Sequence, residues 1–479
     1  MLENKSVEEI TSSIKSRKIK IVEVISSYLE RIKKYNPQLN AIVSIKDEEK
    51  IIEEAKTKDL EKNYEFNKDL LVGLPLAIKD INDAEGLPTT FGVKEYKNNF
   101  PTQNSIIVER LIKNGAIIIG KTNTAELALG SHTTNRLYGP TSNVYNGSKS
   151  SGGSSGGAAS AVAASLVPIA DGTDMMGSCR NPAAYANLYG FRPTPGLIPS
   201  KRNNKLKSEL NLLTTSGFIA RTPNEMSIIL DAVSGKDPID PFSFDIKGSF
   251  RETIMQDNEF RSLKIGWLSD MNGHYKFDHG ILEMCEKALS NIDSYSSTLD
   301  IESLKTKIDP SDIWDIWTSL RAKCNFDDLK EMKLLDMNNL CDSARWEYLK
   351  GANIKSNQIE KSILQQNKYL NEVHQLLKKF DFIILPSAQV FPFNKEKSYP
   401  DQICGYNLDT YHRWMEVTIL SGLFQLPTIS VPIGFNEEGL PMGMQIIGKK
   451  GNDLKVISFA KKYEETFNLS KIKPKKFFN

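Results

Sequence analysis

The chain has 479 residues, room for one large enzyme domain or about three ordinary ones, and its 40% hydrophobic and 25% charged content excludes a largely disordered chain. Lys and Arg total 61 against 59 Asp and Glu, a balance that leaves no electrostatic footprint for nucleic acid or an anionic membrane surface. The 5 cysteines form no CxxC pair and the 5 histidines fall in no HExxH or HxH spacing, so no disulfide framework, metal centre or other cofactor is expected.

The first twenty residues lack the apolar core of a signal peptide, and no stretch approaches the ~20 apolar residues of a membrane span, so a cytoplasmic protein is expected. Ser6 with Glu9 three residues on reads as a capping box opening a short helix. Ile21, Val22, Ile25, Tyr28, Leu29 and Ile32 make one apolar face of a second helix over about 20–34. LPLAI (74–78) reads as a buried strand, SIIVERLIKNG (105–115) as a helix closed by Gly115, and AIIIG (116–120) as the next strand. An Ala-rich helix at 156–165, the run LVPIA (166–170) and the later FIILP (382–386) and TISVP (428–432) continue the alternation. Strands interleaved with helices predict an α/β protein with a parallel or mixed sheet. The stretch 235–380, richer in Asp, Lys and Asn, reads as a helical region packed on that sheet. The basic end KIKPKKFFN reads as a solvated tail.

Residues 147–157, GSKSSGGSSGG, have the composition of a flexible linker. The downstream residues argue otherwise, because the run feeds directly into the Ala-rich helix and, after the next apolar run, into a second turn-prone serine segment, DGTDMMGS, ending at Ser178. One helix and one strand join the two serine sites, which is the arrangement of paired loops above a sheet edge.

The segment GGSSGGAASAVAASLVPIADGTDMMGSCRNPAAYANLYGFRPTPG resembles the signature segment of the amidase signature family, serine hydrolases that use a Ser-Ser-Lys triad without histidine. GLPLAIKD, GKTNTAELALG, SGFIART and LPTISVPIGFNEEGLPMGMQIIG are similar to further blocks of the family, in order along nearly the whole chain. The resemblance implies a large mixed β-sheet flanked by helices in a single domain over 1–479, with a catalytic core at 60–235, a mainly helical substrate-side region at 235–410 and a return to the core over 410–479. It implies Ser178 as nucleophile, Ser154 as bridging serine after a cis peptide, Lys79 as base, and an oxyanion hole of the backbone N–H groups of Met175, Met176, Gly177 and Ser178. Residue types agree with this: a serine hydroxyl needs an adjacent proton acceptor, and a lysine accepts a proton near neutrality only where burial strips its charge.

Met175 and Met176 stand where the commonest family pattern has threonine and glycine. They are expected to narrow the acyl pocket, and Ala128 is expected to line the cleft. Together with YHRWMEV (411–417) they resemble the branch of the 6-aminohexanoate cyclic-dimer hydrolases. Asp174 and Arg180 read as turn and packing residues, and Cys324 and Cys404 as buried small hydrophobes. The implied activity is hydrolysis of a small-molecule amide, linear or cyclic, through an acyl-enzyme, with a homodimer left open. Two other readings remain. In one the chain is a glutaminase-like amidotransferase subunit working with a partner chain. In the other GGSSG (152–156) is the nucleophile elbow of an α/β-hydrolase, with His412 as its histidine.

Overall fold

The computed structural model describes residues 2–61, 64, 68–201, 212–295, 300–304, 306–332 and 337–478. Two sheets organise it. The smaller has the order β1-β3-β2, built from Ile42–Ile45 (β1), Pro75–Lys79 (β2) and Ile117–Thr122 (β3). The larger has the order β4-β6-β5-β12-β13-β9-β7-β8. Its strands are Ile169–Asp174 (β4), Tyr189–Arg192 (β5), Thr215–Ala220 (β6), Lys264–Trp267 (β7), Asp300–Ser303 (β8), Phe382–Pro386 (β9), Thr428–Phe435 (β12) and Pro441–Ile447 (β13). Gln402–Ile403 (β10) and Tyr406–Asn407 (β11) form a separate hairpin. The large sheet is mixed: pairing is antiparallel from β4 through β9, then parallel along β9, β7 and β8. This is the α/β architecture with a large mixed sheet that the sequence implies.

The predicted strand LPLAI therefore belongs to the small sheet, where Lys79 ends β2 opposite Thr122. The run LVPIA starts its strand only at Ile169, after Pro168, which has no N–H to give a ladder. Ser6 and Glu9 do form the capping box of the helix Val7–Lys15. The helix Ile21–Leu39 runs past the predicted end, through Pro37, and stops at Asn40 in the left-handed conformation. There the Asn36 side chain accepts the N–H groups of Ala41 and Ile42. Region 235–380 carries the helices Ile281–Tyr295, Pro310–Glu331, Asp342–Asn353 and Ser356–Lys379, but it also supplies β7 and β8. Four-residue strands with little alternation leave no period-2 signal to read.

Between the sheets lies the helix Gly156–Ala163, every residue of it buried. Its glycines and alanines let backbones approach closely: a Cβ on Gly157 would stand 2.4 Å from the Asn123 nitrogen. Below it the main apolar core joins both sheets, while a second cluster around Trp314, Trp317, Trp414 and Leu420 packs the helical region against β9 and β13 of the large sheet.

The basic C-terminal end is docked rather than solvated. Phe477 is buried, its ring edge-on to Tyr35 at 5.3 Å, and the Arg31 guanidinium donates to its carbonyl at 2.7 Å. Lysine charges dominate the composition there, but one aromatic ring decides the placement. Phe477→Ala is expected to cost about 3 kcal/mol, read as a lower urea midpoint with unchanged activity.

Candidate active site

Lys79 is fully buried, and its ammonium nitrogen reaches three hydroxyl oxygens: Ser154 Oγ at 2.7 Å, Ser155 Oγ at 2.8 Å and Thr173 Oγ1 at 2.9 Å. Its main-chain N–H donates to Asp171 Oδ1 at 2.8 Å. Burial lowers the lysine from its ordinary value to about 8, against the opposing pull of Asp171 and Asp174. Ser154 and Lys79 are thus brought together as expected. Ser155 and Thr173 are partners that reading the sequence missed. One signal for Thr173 is present, because Asp171 and Thr173 are polar residues two apart in the strand Ile169–Asp174 and so share a face.

The Gly153–Ser154 peptide is cis. Three contacts fix this turn: the Ser154 carbonyl accepts the Ala125 N–H and the Thr133 hydroxyl, both at 3.2 Å, and the Gly153 N–H donates to Asn181 Oδ1 at 3.2 Å. Gly153 has to be glycine, since a Cβ there would lie 2.8 Å from the His132 nitrogen. The linker-like composition of 147–157 is therefore the consequence of close packing.

Ser178 follows β4 on a tight turn, and the Ser155 N–H donates to its carbonyl at 3.3 Å, which joins the two serine segments. Exposure rises from 0% at Lys79 through 1% at Ser154 to 7% at Ser178, so the serine expected to attack is the one nearest the surface. Its hydroxyl holds no hydrogen bond among the described residues.

Asp174 builds the turn. Its carboxylate accepts the N–H groups of Gly177 at 3.0 Å and Cys179 at 3.1 Å, and pairs with the Arg180 guanidinium at 2.8 and 3.0 Å. Arg180 and Arg192 hold that carboxyl well below the usual carboxylate range despite burial. Arg180 also reaches the Thr418 carbonyl at 3.2 Å, tying the turn to the 413–418 segment. Asp174 and Arg180 are framework, as read from the sequence. The Gly177 N–H is bonded to Asp174, whereas the sequence reading places it in an oxyanion hole with those of Met175, Met176 and Ser178. The left-handed φ of +84° at Gly177, with a Cβ there 2.9 Å from Thr418 Cγ2, explains the glycine.

The methionine side chains turn away from the expected acyl pocket. Met176 points into the helical region's core, where its sulfur accepts the Trp317 indole N–H at 3.3 Å, and Met175 packs half-buried on the same cluster. Ala128, at φ +58°, is half-buried beside the cleft segment. A cavity of about 390 Å³ lies instead beside Glu126, Ser131, His132, Arg136, Tyr411 and Trp414. Its 131–132 wall stands against Gly153, and its Trp414 wall leads into the segment that carries Thr418 onto Gly177. The cavity therefore touches the supports of both serines.

His412 does not fit the nucleophile-elbow reading. It is fully buried among Trp314, Trp346 and Tyr411, and neither ring nitrogen has a hydrogen-bond partner. Cys404 is exposed on a hairpin tip, not buried, whereas Cys324 is buried. Among the described residues no cluster of His, Cys, Asp and Glu could hold a metal, and no helix is long and apolar enough to cross a membrane.

Two substitutions test this framework. Arg180→Met strands the buried Asp174 carboxylate and is expected to destabilise the fold by about 3–5 kcal/mol in chemical denaturation. Met176→Ala keeps the backbone N–H and is expected to lower stability by about 3 kcal/mol while turnover persists. Loss of all turnover in folded Met176→Ala protein would show that the side chain acts in catalysis.

Comparison with known proteins places the chain. The family described as Amidase matches residues 23–457. An acylamidase of Rhodococcus erythropolis is 30% identical over 470 residues, covering 96% of this chain and 94% of its own. A glutamyl-tRNA(Gln) amidotransferase subunit of Caldanaerobacter subterraneus subsp. tengcongensis is 30% identical over 485 residues, covering 96% of each. The structure of a bacterial aryl acylamidase of the amidase signature enzymes superposes with a TM-score of 0.88 at 27% identity, over 98% of both chains. A 6-aminohexanoate cyclic dimer hydrolase complexed with substrate superposes with a TM-score of 0.85 over 99% of both, a likeness of fold at 21% identity. On the match over 23–457, the chain belongs to the amidase family, the amidase signature enzymes.

Proposed function

We propose that the chain hydrolyses amide bonds through an acyl-enzyme on Ser178, with Lys79 as base and Ser154 as relay. The observation that carries this reading is the 2.7 Å contact between the buried Lys79 nitrogen and Ser154 Oγ, one residue from the backbone bond that holds Ser178. Ser178 Oγ attacks the amide carbonyl. Its proton passes to Ser154 Oγ as the proton of Ser154 passes to the neutral Lys79 amine. The oxyanion meets the N–H groups of Met176 and Ser178, with Met175 beside them. The proton returns by the same path to the leaving nitrogen, the C–N bond breaks, and water, activated in turn, releases the acid and restores Ser178.

The cavity beside Tyr411 and Trp414 receives part of the substrate, and the helices of 235–410 close the acyl side. Half-buried Met175 stands at the edge of the apolar cluster of that region, which suits an apolar acyl or aryl group, including the repeating chain of a linear or cyclic oligoamide. We place the protein in the reducing cytoplasm, in keeping with cysteines that form no disulfide. The amidotransferase subunit of equal identity supports a second reading, glutamine hydrolysis in the presence of a partner chain. A panel of anilides, aliphatic amides, linear and cyclic oligoamides and glutamine, assayed with the purified chain alone, separates the two. Turnover of glutamine alone, and only on addition of a copurifying chain, would favour the second.

A fluorophosphonate probe is expected to label Ser178, and mapping of the label to Ser154 would overturn the assignment. Lys79→Ala is expected to lower kcat by about a thousandfold or more, and Lys79→Arg not to restore it, since a guanidinium stays charged in this range. Because the neutral amine is the active form, kcat/KM is expected to climb with pH and level off above about 8, falling tenfold per pH unit on the acid side. A profile flat from pH 6 to pH 9 would remove Lys79 as the base.

A further inference from the structure

Lys79 is surrounded by several charged or ionisable groups, and nearly all are already matched. Asp174, on the turn after β4, is paired with Arg180 and Arg192. The Cys179 thiol, on the helix Arg180–Ala184 side, is pushed up by burial and stays uncharged. Asp80, next to Lys79 in the chain, accepts from the Thr90 N–H and hydroxyl and stands 3.7 Å from Lys121 of β3. Lys121 in turn donates to the Asn82 carbonyl at 2.6 Å and to Thr89 Oγ1 at 3.0 Å, with half-buried Asp83 on its outer side.

Asp171 is the exception. It is buried in β4, two residues before Thr173 on the same face, and among the described residues its two oxygens accept from neutral donors, the Lys79 N–H at 2.8 Å and the Asn82 amide at 2.7 Å. The Lys79 ammonium likewise meets only hydroxyls. Among the described residues the Asp171 carboxylate makes no ion pair, the charges that act on it being those of Lys121 and Lys79, and buried charges persist only where they are compensated.

We propose that Asp171 is the positioning residue of the base: its carboxylate pins the end of β2 through the Lys79 N–H and supplies the negative charge against which the ammonium titrates, so that it sets the pH at which the site turns on. The inference rests on the reading of Lys79 as base. Its sign is fixed by electrostatics. A nearby carboxylate favours the charged lysine and delays deprotonation, so removing the charge frees the amine at lower pH. Burial alone would make the amine available too readily, and Asp171 restrains it. Thr173 and Asp171, side by side, then have separate roles, since one contacts the nitrogen and the other fixes its backbone and its charge.

The test is the pH profile of kcat/KM on one amide substrate for wild type, Asp171→Asn, Lys121→Gln and Lys79→Ala. Asp171→Asn keeps an acceptor for the Lys79 N–H, and the Asn82 amide can turn over to accept from the new side chain. Its acid limb is expected to move about one pH unit lower, with a plateau within a few-fold of wild type. A limb that stays in place, whatever happens to the plateau, would show that Asp171 is only structural and overturn the proposal. Lys121→Gln carries the test if Asp171→Asn does not fold. Taking away the competing cation is expected to move the limb to higher pH, and an unmoved limb again overturns the proposal. Lys79→Ala separates the two claims: if it retains activity, the reading of the base fails, whereas an inactive Lys79→Ala with an unmoved Asp171→Asn limb sinks the role of Asp171 alone.

Discussion

The constraint on which the site depends is that the Lys79 nitrogen is sealed from water and surrounded by hydroxyls, not by carboxylates. An ammonium has three protons to give, and Ser154, Ser155 and Thr173 offer three oxygens to receive them. A neutral amine has two protons and a lone pair, so one hydroxyl must turn and donate. Hydroxyls can do either, and ionised carboxylates cannot. The same cage therefore satisfies both protonation states without moving a heavy atom. The lowering of Lys79 from its ordinary value to about 8 corresponds to about 3 kcal/mol held against the charged form, which is what makes it usable as a base near neutrality.

A second consequence concerns where the parts come from. Lys79, the proposed base, stands at the end of a strand in the small sheet, while Ser178, the proposed nucleophile, stands just past an edge strand of the large one. Nothing in either sheet's ladder sets their distance. That falls to the bond from the Lys79 N–H to Asp171 of β4, and to the helix Gly156–Ala163 and the serine run before it, with side chains small enough to touch backbone on several sides. The carboxylate of Asp174 then fixes the other serine by taking the donors of its turn and binding them to Arg180, whose far side reaches the segment carrying Thr418 and Gln445 of β13.

Much of this was legible in the chain itself. Lys79, Ser154 and Ser178 were assigned through the resemblance of their segments to the amidase signature blocks, since Ser154 alone reads as linker and Lys79 alone as a surface lysine, and the order of apolar runs was enough for a mixed α/β sheet. What stayed hidden depended on register between distant segments. Ser155 and Thr173 become partners of Lys79 only once β2 and β4 are laid side by side. The side-chain directions of Met175 and Met176 depend on Trp317, about 140 residues later, and no local pattern carries that information. The commitment of the Gly177 N–H was closer to readable, since an aspartate three residues before a glycine is a common turn. Strands β7 and β8 escaped because four residues in a charged stretch give too short a period.

The failure of His412 as a catalytic candidate follows from the same physics that favours Lys79. Both side chains are fully buried, and burial removes charge from each. The difference lies in what surrounds the nitrogen. Around Lys79 stand three hydroxyls that bond its nitrogen, whereas the His412 ring lies against Trp314, Trp346 and Tyr411 and its nitrogens hold no hydrogen bond among the described residues. A buried base without a polar neighbour has nothing to take a proton from, however favourable its protonation state. Depressed proton affinity is therefore only half of a general base, and a chain of hydroxyls leading to the nucleophile is the other half. In this protein the hydroxyls stand at the end of β2, around Lys79, and none is bonded to His412 among the described residues.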